Sequence, residues 1–301
     1  MTLIRAPAVE RAAPAAPRAY LPALVTAALF TFLFARPALL LLRDWWSNPE
    51  AGHGLLLAPV ALWLAWKRGL LKEFQPAPVL GALLIVAAVL LRTTADLAAE
   101  LFTLRASLVL AGVGLIVYFR GARQALAWWL PIALLVLSIP LPELVTSTLA
   151  LPLQFKASAL GTKLLEWRHV PVALAGNIIQ IPGHQLFVTE ACSGLRSLNA
   201  LLALSVLMGG LWLTSWLSRL LLVLVAIPIA VLINGVRVFL TGFLVYFVDP
   251  KLGEGFMHVT EGWLLFLVSL VLTGAAAFGF RVLERAVAAR RSRGEEQHAS
   301  A

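Results

Sequence analysis

The stretch that decides the fold covers residues 219–247 and reads RLLLVLVAIPIAVLINGVRVFLTGFLVYF. It starts with an arginine and continues as an apolar run longer than the ~20 residues that cross a bilayer core. Arg237 follows Arg219 by 18 residues, which is about 27 Å of helix rise in a core about 30 Å thick. The stretch therefore predicts a membrane-spanning helix, bent at Pro228, with a charged side chain near the end opposite to Arg219.

The composition of the whole chain extends this prediction. Hydrophobic residues make up 60% and charged residues 13% of the 301 positions, whereas soluble domains carry about 25% charged residues. The apolar run after residue 19 is longer than the hydrophobic core of a signal peptide, so we expect no cleavage there. The composition predicts an all-α, polytopic helical bundle in the lipid bilayer.

Apolar segments of spanning length recur along the chain. We predict about eight transmembrane helices, which cover residues 20–42, 54–72, 77–95, 101–119, 124–141, 192–212, 219–247 and 261–281. Most of the 24 lysine and arginine residues then fall on one side, which the positive-inside rule makes cytoplasmic, with both termini. This explains the net charge of +9, so we expect no nucleic-acid partner.

The longest stretch between predicted spans, residues 142–191, lies outside in this topology. The part from Leu144 to Trp167 mixes apolar and polar positions and predicts an amphipathic helix on the membrane surface. Turn signals at Gly176-Asn177 and Pro182-Gly183 separate short β-branched runs in the part that follows. These turns predict a small extracytoplasmic hairpin that leads to Cys192.

Cys192 is the only cysteine of the chain, so it has no partner for an intramolecular disulfide. It is either a buried structural thiol or a nucleophile. Its position favours the nucleophile, because the positive end of a helix dipole and Arg196 on the same helical face both stabilise a thiolate. We expect Glu190 to pair with Arg196.

Arg237 lies inside an apolar run, where charged residues are costly and usually functional. Asn234 and Thr241 share its helical face, so we predict a polar stripe that points into the bundle. Arg237 either snorkels to the membrane surface or stabilises negative charge on an oxyanion or thiolate.

Two histidines are further candidates on the outer side. His258 lies at the outer end of the last span and is either a solvated interfacial residue or a general acid/base, with Glu261 placed to orient it. His53 lies between two glycines, and its role is either substrate positioning or structural. No cluster of cysteine and histidine has the spacing of metal ligands, so we expect neither a metal nor a cofactor.

The motifs EACSGLR at residues 190–196 and NGVR at residues 234–237, followed by His258, resemble those of the exosortases. These proteins are multi-span membrane cysteine transpeptidases, and the resemblance covers most of residues 40–270. One departure is the run Ala51-Gly52-His53-Gly54, where many exosortases have Tyr-Ser-His-Gly.

The resemblance implies a site in which Cys192 is the nucleophile, Arg237 stabilises the oxyanion and His258 is the general acid/base. We predict that the substrate-binding positions are His53, Glu190, Arg196 and Asn234. The resemblance places an exosortase-like transmembrane domain over 20–285. From charge and composition we expect a cytoplasmic tail at 1–19 and a disordered cytoplasmic tail at 286–301.

The resemblance further implies the substrate class. Exosortase substrates are exported proteins that end in a short motif such as Pro-Glu-Pro, one transmembrane helix and a basic cluster. Cleavage near the motif proceeds through a thioester, and the product is transferred to an extracytoplasmic acceptor. The implied location is the bacterial inner (cytoplasmic) membrane, with the active site facing the periplasm.

Two alternatives come from other classes of protein. In a transporter, Arg237 and the bent seventh span would line a substrate path. A non-catalytic subunit of an exopolysaccharide export system is the other alternative. Both would tolerate the loss of the Cys192 thiol, whereas a cysteine transpeptidase would not.

Overall fold

The computed structural model describes residues 21–48, 50–188, 194–253 and 255–299, with side chains at all of these except 21–23, 250, 253, 255–259, 261 and 291–299. Within these residues the chain forms α-helices and one small sheet. The helices are α1 (Leu21–Ser47), α2 (Gly54–Arg68), α3 (Pro78–Leu97), α4 (Leu101–Arg120), α5 (Ala122–Ala127), α6 (Trp129–Leu137), α7 (Glu143–Trp167), α8 (Leu195–Trp212), α9 (Trp216–Phe247) and α10 (Gly255–Ala299). The strands are β1 (Ala173–Ala175), β2 (Ile178–Ile181) and β3 (His184–Phe187).

Six of the described helices are long and apolar enough to cross a membrane. These spans are Leu24–Ser47, Pro78–Leu97, Leu101–Arg120, Leu195–Trp212, Trp216–Phe247 and Gly262–Arg290. The protein is therefore an all-α, multi-pass membrane bundle, as the sequence predicts.

Two of the predicted spans are shorter than a bilayer core, so the count of eight is approximate. Predicted span 54–72 is the 15-residue helix α2, about 22 Å long. Predicted span 124–141 is divided at Trp128 into α5 and α6. The Trp128 indole donates a hydrogen bond to the Gly69 carbonyl at 3.0 Å, and Pro131 lies in the first turn of α6, where proline is tolerated.

Helix α7 lies where the sequence predicts an amphipathic helix, but it packs against the protein and does not lie on the membrane surface. One face of α7 is buried against the protein and consists mainly of small and polar residues, which are Thr146, Ala150, Gln154, Ala157, Ser158, Gly161 and Thr162. Leu165 is also buried, but several other large apolar side chains, among them Leu144 and Trp167, are exposed. Small residues let helix backbones approach closely in lipid, so α7 packs along a spanning helix instead of lying alone on the membrane.

The partner of α7 is α9, and the two helices run parallel. A Cβ atom added to Gly161 would lie 2.6 Å from Cγ1 of Val238, and one added to Gly242 would lie 2.9 Å from Cδ1 of Leu165. Residue numbers therefore increase together along both helices. This contact supports the half of α9 that carries Arg237.

The predicted hairpin is confirmed and extended by a third strand. The sheet is antiparallel in the order β1-β2-β3, with glycines of positive φ at both turns, Gly176 at +64° and Gly183 at +80°. Ile179 and Ile181 point into a buried cluster with residues of α7 and of α9, including Val238. The sheet therefore covers the end of α9 farthest from Arg219.

Helix α10 continues to Ala299, so it includes residues 286–299, for which the sequence predicts a disordered tail. The segment after Arg285 is rich in alanine, arginine, glutamate and glutamine, which have high helix propensity. A preceding spanning helix supplies the costly nucleus, and the charged segment only has to propagate it.

Candidate active site

The Asn234-Gly235-Val236-Arg237 motif lies in the middle part of α9. Asn234 is 7% exposed and Arg237 is half-buried, so the predicted polar stripe does point into the bundle. The hydroxyl of Thr241 donates a hydrogen bond to the Arg237 backbone carbonyl at 3.0 Å. The side chain of Thr241 thereby stays close to the helix, and the guanidinium extends toward neighbouring helices.

Gly194, which precedes α8, lies directly against Asn234. Its φ is +78°, a left-handed conformation that residues with a Cβ atom rarely adopt. A Cβ atom added there would lie 2.6 Å from Cγ of Asn234 and 2.9 Å from its Nδ2. Glycine is therefore required at this position for two reasons, the positive φ and the lack of space for a Cβ atom. Its contact with Asn234 fixes the start of α8 against α9.

Arg237 reaches from α9 to α10. A Cβ atom added to Gly262 would lie 3.1 Å from Nη2 and 3.2 Å from Cζ of Arg237, so the guanidinium rests on this glycine. A small cleft between the three helices is lined by polar groups of each, which are Ser197 of α8, Asn234 and Arg237 of α9, and Ser269 of α10. Leu153 of α7 and Gly194 line a second cleft on the other side of Asn234.

Two of the predicted site residues, Glu190 and Cys192, lie outside the described residues. His258 lies in the first turn of α10, and its side chain, like that of Glu261, is outside the described set. The described helix α8 begins at Leu195 after a left-handed Gly194. Because Cys192 lies outside the described residues, the expectation that Arg196 shares a helical face with it stays a prediction.

Arg196 and His53 do not join the cleft around Arg237 in the structure. Arg196 is exposed on the first turn of α8. His53 precedes α2, and its Nε2 lies 3.1 Å from the Leu137 carbonyl at the end of α6. A carbonyl only accepts hydrogen bonds, so Nε2 carries the proton and joins two helices. This contact favours the structural alternative for His53, and a role in substrate positioning stays a prediction.

Sequence reasoning missed Gly194, Gly262, Ser197 and Ser269 as parts of this region. A signal was present for the first two, since each follows a candidate residue closely, Gly194 by two positions and Gly262 by four. The two serines are polar residues within apolar helices, and Ser269 follows Gly262 by two helical turns. Their common location depends on how α8, α9 and α10 pack, which periodicity does not encode.

The arrangement brings a fixed positive charge to a polar cleft inside an apolar bundle. A guanidinium in a medium of low dielectric constant attracts an anion more strongly than it does in water. The N-terminus of α8, with the positive end of its helix dipole, adjoins the same region through Gly194. The cleft is therefore suited to stabilise negative charge on a bound group.

We predict that Gly194→Ala lowers the melting temperature by several degrees. Both the left-handed backbone, at about 1–2 kcal/mol, and the overlap with Asn234 oppose the added methyl group. Circular dichroism of the detergent-solubilised protein measures the change. The matched control is Gly274→Ala in α10, where an added Cβ atom would have nothing within 4 Å, and it is expected to leave the melting temperature unchanged or higher.

The double variant Gly194→Ala with Asn234→Ala separates the two causes. Removing the Asn234 carboxamide takes away the overlapping atom and is expected to restore part of the loss. An unchanged melting temperature for Gly194→Ala alone would contradict the described packing of Gly194 on α9.

Comparison with known proteins identifies the family. A model of the transmembrane exosortase family matches residues 45–275, from the last turn of α1 to the middle of α10. The chain therefore belongs to the transmembrane exosortase family. The matched range includes Cys192, Arg237 and His258, together with the cleft formed by α8, α9 and α10. No curated protein and no solved structure matches the chain.

Proposed function

We propose that this exosortase is a membrane-embedded cysteine transpeptidase or protease, in which Cys192 is the nucleophile, Arg237 stabilises the oxyanion and His258 is the general acid/base. The observation that carries the proposal is the pair of contacts Gly194–Asn234 and Arg237–Gly262. Cys192 precedes Gly194 by two residues, and His258 precedes Gly262 by one helical turn. Both contacts support a common site around Arg237.

The first half of the proposed reaction forms a thioester. The thiolate Sγ of Cys192 attacks the carbonyl carbon of the scissile peptide bond and forms a carbon–sulfur bond. Negative charge develops on the carbonyl oxygen, and the guanidinium of Arg237 stabilises it. When the carbon–nitrogen bond breaks, His258 gives its proton to the leaving amine.

The second half regenerates the thiolate. Neutral His258 takes a proton from the acceptor, which attacks the thioester carbonyl. The carbon–sulfur bond breaks, and the electron pair returns to Sγ of Cys192. An amine or hydroxyl acceptor gives a transpeptidase, and water as the acceptor gives a protease.

The proposed substrates are exported proteins whose C-terminus carries a PEP-CTERM-like motif, one transmembrane helix and a basic cluster. A substrate anchored by its own helix diffuses only within the bilayer, which raises its effective concentration at the cleft. Asn234 is buried beside the cleft, and its amide is suited to hydrogen-bond the substrate backbone there. His53, Glu190 and Arg196 are further candidates for substrate binding.

The proposed location is the bacterial inner membrane, with both termini cytoplasmic and the active site facing the periplasm. Arg219, at one end of α9, lies over Trp129, and Arg68 donates a hydrogen bond to the carbonyl of Ala127, two residues earlier. Arg285 of α10 belongs to the same end through its neighbour Glu284, which contacts Thr214. A cytoplasmic assignment of this basic end follows the positive-inside rule. Arg237 then lies toward the opposite membrane surface.

The test is to trap the acyl-enzyme. The protein is co-expressed with a tagged substrate that bears the tripartite tail, the cells are quenched in acid, and the mass of the enzyme is measured. We expect an adduct on Cys192 that equals the N-terminal portion of the substrate and is released by hydroxylamine, as a thioester is. Substrate cleavage without any adduct on Cys192, under conditions that preserve a synthetic thioester, would count against the proposed intermediate.

A further inference from the structure

We propose that the basic end of the bundle binds the phosphodiester headgroup of an anionic glycerophospholipid between Arg68 of α2 and Arg219 of α9. This site lies at the end of α9 opposite to the candidate active site, and none of its residues belongs to the cleft around Arg237.

Arg219 is held in one orientation. Its Nε and Nη2 donate hydrogen bonds to the Leu213 carbonyl at 3.1 and 2.8 Å. Its Cζ lies 4.9 Å from the centre of the Trp129 ring and 4.8 Å from that of Trp216. The two rings contact one another, with centroids 4.7 Å apart. A guanidinium fixed in this way loses little side-chain entropy when it binds an anion.

Arg68 approaches from α2. Its Nη1 donates a hydrogen bond to the Ala127 carbonyl at 2.8 Å, next to Trp128 and Trp129 in the chain. Arg219 lies over the ring of Trp129, two residues after Ala127 in the chain, so the two cations lie at the same end of the bundle and repel each other. An anion between them would turn that repulsion into two attractive interactions.

Neither arginine is neutralised by a carboxylate among the described residues. The ion pairs found there are Arg36–Asp96 and Arg105–Asp44. Glu284 of α10 is the nearby acid, but its oxygens accept hydrogen bonds from the Thr214 hydroxyl and from the backbone amides of Thr214 and Ser215 at 2.9–3.0 Å. Glu284 thus satisfies the N-terminus of α9 and leaves the arginine pair with a net positive charge.

The guanidinium groups retain donors for a ligand. Each guanidinium has five N–H groups, of which Arg219 uses two for Leu213 and Arg68 uses one for Ala127. Phosphate oxygens accept such donors in pairs, which makes arginine well suited to phosphate. The remaining donors are enough to bind a phosphodiester from two sides.

The surroundings favour a lipid over a soluble anion. Trp66 is 80% exposed and Trp216 is 64% exposed, and Lys67 lies over the ring of Trp63 at 4.8 Å. Exposed tryptophans beside basic residues are typical of the level of the lipid headgroups. Basic pockets between spanning helices on the cytoplasmic side bind anionic headgroups. Acyl chains would lie along the apolar side chains that α2 and α9 expose.

The experiment measures lipid binding by native mass spectrometry of the purified full-length protein. Dioleoylphosphatidylglycerol and dioleoylphosphatidylcholine are titrated separately at about 0.15 M salt, which screens distant charges. We expect the anionic lipid to bind about tenfold more tightly, since a charge-assisted hydrogen bond contributes on that scale. Arg68→Gln is expected to lose this preference. Arg68→Lys is expected to keep part of it, because lysine keeps the positive charge but lacks the planar set of N–H donors of a guanidinium.

The matched control is Arg123→Gln, which removes an exposed charge from the same end of the bundle. We expect its affinity for the anionic lipid to stay within about twofold of wild type. Equal losses in Arg68→Gln and Arg123→Gln would overturn the proposal in favour of diffuse attraction. Equal binding of both lipids to the wild type would also overturn it, as would displacement of the anionic lipid by an equal concentration of inorganic phosphate.

Discussion

Cys192→Ala is expected to abolish processing of a co-expressed substrate that carries the tripartite tail. If Cys192 is the nucleophile, its removal leaves no group that can form the thioester. Loss of a catalytic nucleophile lowers turnover on the order of 10³-fold or more. The measurement is the ratio of cleaved to intact substrate on an immunoblot, for the wild type and the variant at equal abundance in the membrane.

The chain offers a sharp control because Cys192 is its only cysteine. A thiol-alkylating reagent can modify the wild type at that residue alone, so we expect it to inactivate the wild type. A membrane-impermeant reagent applied from the periplasmic side tests the proposed orientation in the same assay. Processing by Cys192→Ala at the wild-type rate would exclude Cys192 as the nucleophile and would favour the transporter or the non-catalytic subunit.

Arg237→Gln is expected to reduce the rate of cleavage by about 10²–10³-fold, as removal of an oxyanion-stabilising donor does. Glutamine keeps a hydrogen-bond donor and much of the side-chain length, but it removes the positive charge from the cleft. Arg237→Lys keeps the charge without the planar fork, so we expect an intermediate rate. Single-turnover cleavage of a tagged substrate by the purified variants measures the effect on the chemical step.

A second variant tests the geometry without removing the charge. Gly262→Val places a side chain where the Arg237 guanidinium rests, since a Cβ atom alone would lie 3.1 Å from Nη2. We expect it to displace the guanidinium and slow cleavage, whereas Gly274→Ala in the same helix leaves the rate unchanged.

Wild-type turnover by Arg237→Gln would contradict the proposed role of Arg237, provided that the melting temperatures agree.

The sequence alone determines the class of fold and the outline of the site. Long apolar runs in a chain with few charges predict a helical membrane bundle. In lipid the backbone N–H and C=O groups must hydrogen-bond to each other, which only a helix or a closed barrel allows. Glycine turns at Gly176 and Gly183 predict the small sheet, because a residue with positive φ ends a strand at a defined place. The Asn234–Arg237 motif predicts a polar stripe, because helical periodicity sets which residues share a face.

Other features depend on the tertiary structure. The sequence does not indicate that α7 packs along α9. Small and polar residues such as Thr146 are compatible both with a helix–helix contact in lipid and with a solvent-exposed surface. The sequence also does not show that the Trp128 indole at the break between α5 and α6 contacts the Gly69 carbonyl, because this hydrogen bond joins residues 59 positions apart.

The same limit applies to the contacts that matter for function. Gly194 meets Asn234, and Arg237 meets Gly262, only because the consecutive helices α8, α9 and α10 pack with these residues at one level. Arg68 and Arg219, far apart in the chain, converge for the same reason. Local propensity and periodicity act within one helix, whereas which helices become neighbours is decided by close packing of their side chains.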